Sequence, residues 1–298
     1  MYVKRLVTRM LVAVLAVSIL APGFVHADDT VIDEKLGVPI VVYGANLSDA
    51  EKESVKASLG VAKEAEVEEI TVDGSDLVKY IKDGDSKARM YSSAKITRRD
   101  AGKGLVISIV TEGNITQVTP DMYANAMLTA GIEDAIVEVA SPKKVTGHSA
   151  LVGIYKAYEV SGETLDTERT DVANDELNLA TKFAQEVGVD SDKVSELLTE
   201  IKKQIAEQKP ATKEEVEKIV SEQLKKLNIE LSAADRQLLI DLMDRISKLD
   251  IDFSKLSEQL DDMASKIKDK LGEIDPGFWD AVKNFFTNIF DSIQSWFK

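Results

Sequence analysis

Apolar residues fall in short alternating runs through the first half of the chain and at helical spacing through the second. From Val38 to about Ser161 strand-like and helix-like segments take turns. VPIVVYGA predicts a strand, and SDAEKESVKASLG predicts a helix with Ser48 as N-cap, Glu51 completing a capping box and Gly60 as the stop. VEEITV (Val67 to Val72) alternates like a half-buried strand. MYSSAKITRRDAGKGLVISIVT is expected to form two strands joined by a hairpin turn at DAGKG. After Pro120, DMYANAMLTAG predicts a helix ending at Gly131, DAIVEVA a strand, and HSALVGIYKAYEV a further helix. These patterns predict an α+β or α/β domain over residues 28–162, with several strands and about four helices.

Beyond Gly162 the strand patterns stop. VSELLTEIKKQIAEQ puts Val194, Leu197, Leu198, Ile201 and Ile205 on one stripe. EEVEKIVSEQLKKL does the same with Val216, Ile219, Val220, Leu224 and Leu227. DRQLLIDLMDRISKL repeats it through Leu238, Leu239, Leu242, Met243, Ile246 and Leu249, and LSEQLDDMASKIKDKLG through Leu256, Leu260, Met263, Ile267 and Leu271. The stripes are too narrow for membrane spans and too interrupted for one long coiled coil. An all-α region of helical hairpins is expected over 163–274, with AEQKPATKEE (Ala206 to Glu215) as its hinge.

The last segment, DPGFWDAVKNFFTNIFDSIQSWFK (275–298), holds both tryptophans and five of the eight phenylalanines. Asp275 and Pro276 suit an N-cap and first turn. At about 100° per residue, Phe278, Trp279, Val282, Phe285, Phe286, Ile289, Phe290, Ile293, Trp296 and Phe297 all fall within an arc of about 140°. Burying ten such side chains is worth roughly 15–30 kcal/mol gross as an upper bound. A C-terminal amphipathic docking helix is therefore expected. Its face has three possible covers: the protein's own body as the default, a membrane surface, or another protein, including a second copy. Only Lys283 and Lys298 offset Asp280 and Asp291, which ranks the membrane second.

The start of the chain bears on compartment. Lys4, Arg5 and Arg9 precede the apolar run Met10 to Ala21, and Val25 and Ala27 supply small residues at −3 and −1. A signal peptide over 1–27 is expected, cleaved after Ala27. An uncleaved anchor is the alternative, but the run is short for a hydrocarbon core of about 30 Å. Cleavage would remove 3 of 37 basic residues and none of 52 acidic ones, leaving 34 − 52 = −18. Such a charge repels phosphate backbones, so no nucleic-acid partner is expected. The absence of cysteine excludes disulfides, thiolate metal sites and cysteine nucleophiles.

Catalytic patterns are weak. His148 is the only histidine after residue 27 and stands at an expected helix start, which reads as a cap or surface residue. Ser-x-x-Lys spacings occur at Ser92–Lys95, Ser141–Lys144, Ser265–Lys268 and Ser295–Lys298, but the Ser-Asp-Asn and Lys-Thr-Gly elements that accompany that chemistry are missing. The acidic turns at 72–76, 83–86 and 189–192 lack EF-hand spacing and read as ordinary turns. No catalytic, metal or cofactor residue is assigned.

The stretch from Lys87 to Glu159, above all TPDMYANAMLTAGIEDA and TGHSALVGIYKAYE, closely resembles the core of a bacterial family of exported proteins, the domain of unknown function 1002 or YpuA-like family. The resemblance implies an extracytoplasmic, Gram-positive envelope setting and brings no catalytic or binding residues. His148 stands where a residue such as Thr or Glu is expected. The combined expectation is an exported, non-enzymatic, envelope-associated protein that interacts through its aromatic tail. The alternative is a carboxylate-dependent hydrolase acting on cell-wall or extracellular polymer.

Overall fold

The computed structural model describes residues 36–252 and 259–261. Five strands, β1 (Ile40–Gly44), β2 (Glu68–Val72), β3 (Ser93–Arg98), β4 (Val106–Ile109) and β5 (Ala135–Ala140), form one sheet in the order β2-β1-β3-β5-β4. The helices of the first half are α1 (Asp49–Ser58), α2 (Gly74–Tyr80), α3 (Pro120–Ala130) and α4 (His148–Val160). Those of the second half are α5 (Thr167–Lys182), α6 (Ser191–Gln208), α7 (Lys213–Lys226) and α8 (Ala233–Ser247). The expected class, an α/β half followed by helices, is the observed one. The segments 1–27 and 275–298, and all of the fourth helical stripe except Leu260, lie outside the described residues.

Caps written into the sequence fix several helix starts. Ser48 Oγ accepts the Glu51 amide at 3.4 Å, and the Glu51 carboxylate accepts the Ser48 amide at 2.9 Å. The 206–215 hinge likewise becomes a turn into a capping box, with Thr212 Oγ1 accepting the Glu215 amide at 3.3 Å. Gly131 ends α3 with φ +93°, a left-handed backbone that glycine adopts without strain. Two helices went unforeseen. The acidic stretch 72–76 opens α2, and α5 grows from 167 with Asp166 as N-cap.

The hairpin expected at DAGKG does not form. β5 lies between β3 and β4, antiparallel to the first and parallel to the second. The loop folds onto the residue before β5 instead: Asp134 accepts the amides of Gly102 at 3.1 Å and Gly104 at 2.6 Å, and its carbonyl accepts the Arg99 amide. Ala135, Val137 and Val139 are fully buried, so β5 suits the interior. β4 exposes Val106 and Ser108 and takes the edge.

Alternation along the strands gives the sheet two working faces. The inner face (Ile40, Val42, Ala94, Ile96, Val137 and Val139) lies in the main core with residues of α3 and α4. Gly153 allows the close approach of α4, since an added Cβ would lie 3.0 Å from Val42 Cγ1. On the outer face Val41, Tyr43 and Ala140 pack with Val55 of α1 and with Leu59, its C-cap.

The main core runs without a break into the helices, through Leu177, Phe183, Leu197, Ile201, Val220 and Met243. The stripes of α6, α7 and α8 supply it as the spacing requires, with one exception. Leu238 is 45% exposed, while Ile240 is buried. The α8 seam runs through Leu239, Leu242, Met243 and Ile246, and Leu238 sits one residue, about 100°, off it.

Candidate functional site

The ten tail positions expected to dock, Phe278 to Phe297, lie outside the described residues. Two of the acidic turns serve as helix caps. Asp73 Oδ1 accepts the amides of Ser75 at 2.8 Å and Asp76 at 3.3 Å at the start of α2. Asp190 does the same for Asp192 and Lys193 at α6. Hydrogen bonds from Ser75, side chain first and then backbone, hold Asp73 below the ordinary carboxylate range. Among the described residues, no three His, Asp or Glu side chains group as a metal site, and no helix is long and apolar enough to cross a membrane.

His148 begins α4, and its Nε2 lies 3.0 Å from Thr181 Oγ1. Burial lowers its pKa, so the ring is a neutral tie between α4 and α5. Ser92 and Lys95 do not form a nucleophile–base pair. Lys95 Nζ reaches Glu138 at 2.6 Å, Glu64 at 2.8 Å and the Leu59 carbonyl at 3.0 Å.

A polar junction absent from the sequence expectations lies where α3, α5 and α6 meet. Asn125 and Thr129 lie one turn apart on α3, and Ser195, Thr199 and Lys202 share a face of α6. Lys202 Nζ lies 2.8 Å from Glu176 Oε1 and donates to the Asn125 carbonyl at 2.9 Å. Thr129 Oγ1 donates to Glu176 Oε2 at 2.5 Å. The Asn125 amide lies 3.2 Å from Thr199 Oγ1 and donates to the Ser195 carbonyl at 3.3 Å. Arg169 closes the end of α3, donating to the carbonyls of Thr129 and Leu128. Asn125, Thr129, Glu176, Ser195, Thr199 and Lys202 are all buried.

Burial lowers the pKa of Lys202, and Glu176 offsets only part of that penalty. The Tyr155 hydroxyl on α4 is raised, first by burial and then by the Glu176 charge. With its polar groups shut away from solvent, the junction fixes the register of three helices and offers no place for a substrate. The available signal was the pair of polar residues one turn apart inside the apolar run of α3.

The outer sheet face is the second feature. α1 covers the β1 side. The β4 side exposes Val106 at 45%, Val110 at 37% and Ile136 at 37%. Val106 and Ile136 are direct register partners and form one apolar pair, while Val110 lies on the same face beyond the polar pair of Ser108 and Glu138. Leu260, near the end of the described chain, is buried with Ala124 and Leu128 in a small cluster against which Leu105, Ile107 and Ile251 pack.

Comparison with known proteins adds kinship without chemistry. The profile of the family described as Protein of unknown function (DUF1002) matches residues 43–263. Uncharacterized protein YpuA of Bacillus subtilis (strain 168) is 34% identical over 274 residues, spanning 89% of this chain and 92% of that protein. No solved structure matches. With a profile that runs from β1 past α8, the chain belongs to the DUF1002 family of proteins of unknown function.

Proposed function

We propose that this protein is an exported, non-enzymatic component of the bacterial cell envelope that acts by docking its aromatic C-terminal helix on a membrane surface or another envelope protein. The observation that carries the reading is the apolar arc from Phe278 to Phe297, whose ten large side chains demand a cover. The leader-like start supports export, and the lack of cysteine suits a chain that folds outside the cytoplasm without disulfides. A hydrolase would need a carboxyl held protonated beside a second carboxylate. Glu51, Glu69, Asp73, Glu159, Asp235 and Asp241 are shifted the other way, each by caps or cationic partners.

The test compares residues 28–298 with a variant lacking Pro276–Lys298 and with Phe286→Asp/Ile289→Asp. The measurements are cell fractionation, sedimentation with phosphatidylcholine–phosphatidylglycerol vesicles, and oligomeric state. Association by the parent and its loss in both variants is the expected result. Variants that match the parent in association, oligomeric state and thermal stability would remove the docking role.

A further inference from the structure

Resting on that reading, we propose a resting place for the tail: Pro276–Lys298 docks on the outer face of its own sheet, over Val106, Val110 and Ile136 on the β4 side. Three observations converge. First, three of the exposed large hydrophobic residues share this surface: Val106 and Ile136 stand side by side across the β4–β5 pair, and Val110 lies beyond Ser108 and Glu138. Isolated exposed valines need no explanation, but an adjacent apolar pair with a third apolar residue on the same sheet face offers a seat for an apolar helix. Second, α1 already lies over the β1 side of the same face, so a helix over β4 and β5 would complete a layer that is half built.

Third, the chain leads there. Leu260 is buried in the cluster that Leu105 and Ile107 border, next to the inner side of β4. Lys203 holds Asp261 beside it at 2.5 Å. From Asp261 to the tail's N-cap at Asp275 there are 274 − 261 = 13 intervening residues. Fully extended they reach about 40 Å, whereas crossing from the layer inside an edge strand to a helix outside it takes about 20 Å, roughly 10 Å on each side of the sheet. A strip five residues long matches roughly ten residues of helix, given rises of about 3.3 and 1.5 Å. The strip therefore covers the centre of the arc, around Phe286 and Ile289, and the ends of the arc remain for the partner. The tail is thus sheltered by the body until an external surface competes for it.

The test exploits two features of the composition: both tryptophans, Trp279 and Trp296, lie in the tail, and there is no cysteine. In residues 28–298, Val106→Asp/Ile136→Asp should shift tryptophan emission to the red, toward that of the urea-unfolded chain. The control Val78→Asp, also on an exposed valine, should leave emission unchanged. The pair Val106→Cys/Phe286→Cys should form an intramolecular disulfide under mild oxidation, and Val78→Cys/Phe286→Cys should not. Unchanged emission together with no cross-link overturns the proposal. So does cross-linking only between molecules, which makes a second copy the occupant, or equal cross-linking by the control pair. Vesicle association that depends on the tail but comes with no cross-link defeats this inference alone. Association unaffected by tail deletion defeats the docking function itself.

Discussion

The sheet half and the helical half each bury a lysine, and they treat it in opposite ways. Lys95 keeps 8% of its side chain exposed and faces two carboxylates and a carbonyl. Burial is the largest single influence and pulls its pKa down, but Glu138 and Glu64 together outweigh it and the pKa rises. Lys202 has no exposure and one carboxylate, at a similar distance, and there burial wins. Ion-pair distance does not separate the two. What separates them is the number of anions per ammonium and the access of water to the group.

The largest expected effect breaks the helical-half pair. Lys202→Met leaves Glu176 buried beside Thr129 without its cation, and should cost about 3–5 kcal/mol in urea unfolding. Glu176→Leu/Lys202→Met removes both charges and should recover most of that loss. If the double variant is as unstable as the single, the pair supplies net stability and is not mainly a register device. In the sheet half Lys95→Met should cost less, about 1–3 kcal/mol, because Glu64 and Glu138 keep 21% and 26% exposure and can turn to water. Equal losses at the two sites would erase the contrast.

The smallest effect belongs to the exposed cap of α1. The Lys143 hydrogen bond, followed by those from Ser48, draws the Glu51 pKa from 4.5 to about 2. A carboxylate depressed in the folded state stabilises above its unfolded pKa and loses that contribution as pH falls through the folded value. The stability difference between parent and Glu51→Gln should therefore be present above pH about 4.5 and fade between about 4.5 and about 2. A difference independent of pH would mean that the glutamine replaces the cap in full and the charge contributes nothing.

The sequence by itself determined what depends on neighbours within a turn or two. Helical stripes named the buried residues of α6 and α7, and Ser48–Glu51, Pro120 and Gly131 marked helix ends, because caps and periodicity act over three or four residues. Tertiary structure alone decided the rest. β5 displaced β4 from its expected place beside β3, since a strand's partner is chosen by the apolar value of whole faces and not by the loop between them. The stop in strand patterns at Gly162 was legible, yet the core passes through it without interruption. By residue type alone Lys202 is one more polar residue on α6. Its burial became visible only when Asn125 and Thr199, 74 residues apart, met across the α3–α6 contact, where a long-range hydrogen bond can offset what desolvation costs.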